Sequence, residues 1–123
     1  MSNSVFTANA ATGPFGSGGG LANVGGTATV VGSTFIANSA GTNGSGLDNL
    51  GGTLTVTGST YNRNAAGLQG GGIDNTGTAT VSGSTFTANS AGSGNGGLNN
   101  EPGGLLTQFD NQFIDDLPPD VFP

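Results

Sequence analysis

The feature that most constrains this chain is its repetition. Residues 32–49 read GSTFIANSAGTNGSGLDN and residues 83–100 read GSTFTANSAGSGNGGLNN. Comparison of the chain with itself extends the match. An aromatic recurs at Phe6, Phe35, Tyr61, Phe86 and Phe113, at steps of 29, 26, 25 and 27. Three residues later stands an asparagine, at Asn9, Asn38, Asn64 and Asn89. A leucine or isoleucine pairs with an asparagine two residues on: Leu21 with Asn23, Leu47 with Asn49, Ile73 with Asn75, Leu98 with Asn100. A valine recurs at Val30, Val56 and Val81. The repeat region therefore spans 1–109, with units at about 3–31, 32–57, 58–82 and 83–109, and Phe113 begins a partial fifth. The longer first step comes from TGPFGSGGG (12–20), which reads as a loop insertion.

Within a unit the period is two. In TLTVTGSTY (53–61), Leu54 and Val56 alternate with Thr53, Thr55 and Thr57, as in a strand with one buried face. Three short strands per unit are expected, around GLDN, TLTV and STY, with Gly, Asn, Ser and Ala clusters as turns. No segment has a helical period. A unit of about 25 residues cannot bury a face alone, so each is expected to wind one coil and stack on the next at roughly 4.8 Å. The aromatic, aliphatic and valine positions then become core ladders. The asparagines become amide ladders at corners, and glycine supplies the positive φ angles. Such a thin core explains how 33% hydrophobic residues and 26 glycines suffice.

The string GSTYNRNAAGLQGGGIDNTGTATV (58–81) resembles the repeat of right-handed parallel β-helices, as in pectate-lyase-like proteins and bacterial surface proteins of the polymorphic outer-membrane type. The resemblance covers residues 3 to about 109. It implies an all-β, right-handed parallel β-helix of four to five coils. It leaves function open, because enzymes, adhesins and structural proteins share the repeat.

Chemistry is sparse. Without His or Cys the chain has no Ser-His-Asp or Cys-His nucleophile and no thiolate zinc site. The net charge is −6 with Arg63 as the single basic side chain, so neither nucleic acid nor an anionic membrane is an expected partner. No apolar run reaches membrane-spanning length and no signal peptide is visible. Asp48 and Asp74 hold the same place in successive coils, a spacing that admits a calcium ion or a carbohydrate-processing pair. They read first as solvated corner residues. Metal sites and cofactors are otherwise not expected. Thr27, Thr29, Thr53, Thr55, Thr78 and Thr80 form an outward array of the kind antifreeze solenoids use.

The last unit departs from the pattern. Gln108 falls where valine is expected, and residues 110–123, with Pro118 and Pro119, read as an acidic tail or cap leaving the coil. No N-terminal cap is evident. A solenoid with open ends is expected to stack head to tail into a homopolymer. The resulting expectation is a non-enzymatic, self-assembling structural element at the cell surface or outside the cell. A piece of a larger adhesin or polysaccharide-binding or -degrading protein, and an ice binder, are the alternatives.

Overall fold

The computed structural model describes residues 1–122 and contains strands but no helix among them. The first coil holds β1 (Val5–Thr7), β2 (Ala10–Ala11), β3 (Leu21–Val24) and β4 (Thr27–Val31). The second holds β5 (Thr34–Ile36), β6 (Ser39–Ala40), β7 (Leu47–Leu50) and β8 (Thr53–Thr57). The third holds β9 (Thr60–Asn62), β10 (Ala65–Ala66), β11 (Ile73–Asn75) and β12 (Thr78–Ser82). The fourth holds β13 (Thr85–Thr87), β14 (Ser90–Ala91), β15 (Leu98–Asn100) and β16 (Leu105–Phe109), and β17 (Gln112–Ile114) opens a fifth. Every ladder is parallel and joins neighbouring coils, which makes the molecule a β-solenoid.

The strands form four sheets rather than three. The aromatic sheet runs β1-β5-β9-β13-β17, the alanine sheet β2-β6-β10-β14, the asparagine sheet β3-β7-β11-β15 and the threonine sheet β4-β8-β12-β16. The added sheet comes from two-residue strands such as Ser39–Ala40, too short to show an alternation in sequence. The register pairs Phe35 with Tyr61, Leu47 with Ile73 and Val56 with Val81, so the repeat positions stack rank on rank.

The core is the set of ladders expected from the repeat. Phe35, Tyr61, Phe86, Leu47, Ile73, Leu98, Val30, Val56 and Val81 are fully buried, while Phe6, Leu21 and Phe113 pack against them near the ends. Successive rings from Phe6 to Phe113 lie 4.7, 4.7, 4.9 and 5.0 Å apart and within 13° of parallel. A parallel ladder sets this spacing, because identical χ angles on stacked strands carry the rings along with the backbone.

Glycine does not hold every corner. Gly32, Gly58 and Gly83 take positive φ before the aromatic sheet, but after it Ala8, Ala37, Arg63, Ala88 and Asp115 do so at φ of 54–55°. Each such left-handed L residue costs roughly 1 kcal/mol. The asparagine that follows most of them offsets this cost.

Candidate functional site

The asparagines make the corner rigid and give it a direction. From Nδ2, Asn9 donates to Asn38 Oδ1, Asn38 to Asn64 and Asn64 to Asn89, each at 3.0 Å. The same acceptors also take the backbone N–H of the previous rank, as Asn64 Oδ1 does from Asn38 N at 3.0 Å. A second ladder runs the same way, from Asn23 through Asn49 and Asn75 to Asn100, with every step 2.7 Å. Each rank accepts from the coil before it and donates to the coil after it. The last member of such a ladder needs only to accept.

The C-terminal end follows that rule. Asp116 stands in the rank after Asn89 and accepts its backbone N–H at 2.8 Å and its Nδ2 at 2.9 Å. Asp120 does the same for bare backbone: its carboxylate accepts from Leu98 N at 2.7 Å and Gly97 N at 3.2 Å. In earlier coils a carbonyl of the next rank fills that place, as Gly97 O does for Ile73 N. Phe122 lies over Phe113 with ring centroids 5.2 Å apart, tilted by 48°. The segment 110–122 of the expected tail therefore stays in the spiral at first, since β17 pairs with β13 and Leu117 bridges to Ser90. It turns across the end only after that. Residue 123 lies outside the described residues. Gln108 does occupy the valine column, paired with Val81. Burial pushes Asp116 above the usual carboxylate range, against the lowering effect of the Asn89 donors. Burial likewise carries Asp120 to about 7, against its backbone donors and with Asp116 adding to the rise.

A third ladder was missed in the sequence. Ser4, Ser33 and Ser59 each donate their backbone N–H to the serine hydroxyl of the next rank at 3.1–3.2 Å, and Ser84 donates to Asn111 Oδ1 at 2.9 Å. The signal was the invariant spacing of these serines two residues before each aromatic. Serine is so common in turns that this spacing looked like turn chemistry.

Asp48 and Asp74 are not solvated corner residues. They are 2% and 0% exposed, on neighbouring strands and in register. The outward face of the asparagine sheet is roofed by loops, whose glycines sit against it. A Cβ on Gly44 would lie 2.6 Å from Asp48 Cβ, and one on Gly70 would lie 2.7 Å from Asp74 Cβ. Asp74 Oδ1 accepts from Asn99 Nδ2 at 2.8 Å, but Asp74 Oδ2 and Asp48 Oδ1 are buried without a partner. Burial raises Asp74 to about 7, opposed by the Asn99 hydrogen bond and assisted by Glu101 and Asp48, with the Asn43 hydrogen bond again opposing. Burial also raises Asp48, opposed by a hydrogen bond to Ser17. Among the described residues no three His, Cys, Asp or Glu side chains converge to hold a metal ion.

The threonines do form columns. Thr27, Thr53 and Thr78 stack in one, which ends at Leu105. Thr29, Thr55 and Thr80 stack in the other, which continues to Thr107. No family model, curated protein or solved structure matches this chain.

Proposed function

We propose that this chain is a structural β-solenoid that associates end to end with copies of itself into a rod, at a cell surface or outside the cell. The observation that carries the reading is the pair of ends. Among the described residues the four sheets run in one direction from β1 to β4 at one end to β14 to β17 at the other, with residues 1–3 adding a partial rank to β4, Leu117 and Asp120 partly covering β14 and β15, and β16 left as an open edge. An edge of this kind is a template for a further strand, and a head-to-tail contact propagates. The aromatic sheet holds five ranks in each copy, so each copy would add about 24 Å of rod at the strand spacing. The roofed, tightly packed setting of Asp48 and Asp74 supports a structural role over an enzymatic one, because a sugar chain has no path to either carboxyl. Resemblance to polymorphic outer-membrane and pectate-lyase-like repeats leaves a module of a larger surface protein as the alternative. Sedimentation and electron microscopy at rising concentration test the proposal. Rods with a subunit repeat of about 24 Å are expected; a monodisperse monomer at the highest concentration overturns it.

The threonine columns favour a second reading, binding of ice by a flat array of hydroxyls spaced about 4.8 Å along the rod. Thermal hysteresis that disappears in Thr55→Lys would establish it, and its absence in the unaltered protein would remove it.

A further inference from the structure

The described residues begin and finish at different places in the coil. The chain visits the aromatic, alanine, asparagine and threonine sheets in turn. After the fourth coil it supplies β17 to the aromatic sheet and Leu117 to the alanine sheet. Asp120 and Val121 then serve the asparagine sheet, where Val121 N and O pair with the Asn95 side chain at 3.1 Å. Nothing among the described residues covers the threonine sheet, so β16 is a bare edge. Beside it lies a cavity of about 360 Å³ lined by Asn100, Leu106, Gln108, Val121 and Phe122, among others.

The opposite end has the complementary piece. Residues 1–3 already belong to the threonine sheet: Ser2 bridges to Val31 in parallel, Val31 N donates to Met1 O at 3.0 Å and Asn3 N donates to Val31 O at 2.9 Å. They form a partial rank ahead of β4. Among the described residues, the quadrant left open over β16 is the one that residues 1–3 fill ahead of β4.

We infer that the β16 edge and its cavity are the seat for residues 1–3 of a second copy, which complete the open coil and set the register of a head-to-tail contact. This rests on the end-to-end reading above and specifies its interface. The columns fix the pairing. Ser2 belongs to the column of Val31, Thr57, Ser82 and Phe109, so the incoming Ser2 stands over Phe109. Met1 falls one place earlier, on the inward-facing column of Val30, Val56, Val81 and Gln108, and its side chain enters the cavity. The next strand of the incoming copy places Val5 over Gln112, Phe6 over Phe113 and Thr7 over Ile114. Phe122 now occupies the place that Phe6 would take, so it must swing aside.

Two further observations select a second copy in this orientation. Residues 1–47 contain no charged side chain, whereas Asp110, Asp115, Asp116 and Asp120 gather at the other end. Two C-terminal ends repel each other; a C-terminal end meeting an N-terminal one does not. The last coil also turns apolar where earlier coils are polar. Leu105 replaces Thr53 and Thr78, and Phe109 replaces Thr57 and Ser82, at 67% and 51% exposure. Exposed apolar side chains gathered at one rim mark a contact surface.

The protein has no cysteine, so cross-linking reads the pairing directly. Stacked ranks put Cα atoms about 4.8 Å apart, within disulfide reach. Mixing Ser2→Cys protein with Phe109→Cys protein under oxidation is expected to give the mixed dimer, with little linkage of either variant to itself. The pair Thr7→Cys and Ile114→Cys provides the same test without altering the β16 edge. Phe122→Ala should raise the cross-linked yield several-fold; an unchanged yield overturns the displacement of Phe122. Rods seen by sedimentation without either mixed link, or with each variant linking mainly to itself, overturn the proposed seat while leaving end-to-end association standing. The absence of both rods and links overturns both.

Discussion

The middle coils and the last coil are built on one backbone and differ in what their polar ladders must do. In the middle, Asn64 both accepts from Asn38 and donates to Asn89. At the end, Asp116 accepts from Asn89 and has no amide to pass on. The difference teaches that these ladders are polar wires. A carboxylate can terminate one only at its accepting end; this chain uses Asp116 there, and Asp120 to accept the backbone donors of the asparagine sheet. An unpaired amide or backbone N–H at the same place would leave a buried donor unsatisfied.

Substitutions can break or sharpen this contrast. The largest expected effect is at the middle of the wire. Asn64→Ala removes the donation to Phe35 O and strands the Asn38 donors, and should cost about 3–4 kcal/mol in urea unfolding. Asn9→Ala, at the exposed start, should cost less than about 1 kcal/mol. Equal costs would show that the ladder has no direction. Next, Asp116→Ala should cost about 2 kcal/mol by orphaning the Asn89 donors, while Asp116→Asn, which still accepts from Asn89 but buries a new Nδ2 donor, should cost about 1 kcal/mol. A loss in Asp116→Asn as large as that in Asp116→Ala would mean that acceptance from Asn89 does not close the end.

The buried acid column offers a test in which removing a charge stabilises. Asp74 has its pKa raised from 3.8 to about 7 on folding, so the native state holds a proton that the unfolded chain releases. Its contribution is therefore most favourable below pH 4, is lost as pH rises through about 7, and is level above that. Asp74→Asn should gain about 1–3 kcal/mol at pH 8, gain little at pH 3, and flatten the stability profile between them. Unchanged pH dependence would remove Asp74 as its source. The smallest expected effect is in the aromatic stack. The Tyr61 hydroxyl is buried without a partner between two phenylalanines, so Tyr61→Phe should raise stability by about 1 kcal/mol. A loss instead would reveal a hydrogen bond to that hydroxyl.

Much of the fold was legible in the sequence because a stacked coil converts sequence distance into spatial contact with no further information. Phe35, Tyr61 and Phe86 recur at one period, and that period is the coil. The two-residue alanine sheet was not legible, since a strand of two residues has no alternation to read. The burial of Asp48 and Asp74 was not legible either. It depends on loops 41–46 and 67–72 folding back over the outer face of their own strands, and glycine-rich turns do not announce which way they fold.

By itself the sequence determined which residues share a column, and with them the solenoid, its core and its asparagine wires. Only the tertiary structure decided how the ends finish: that β17, Leu117 and Asp120 finish three quadrants of the last coil, and that among the described residues the threonine sheet stays open beside a cavity. The physical reason is that a repeat repeats its instructions only where a next rank exists. At the last coil each donor must find some other acceptor, and which carboxylate reaches it is a matter of three-dimensional path.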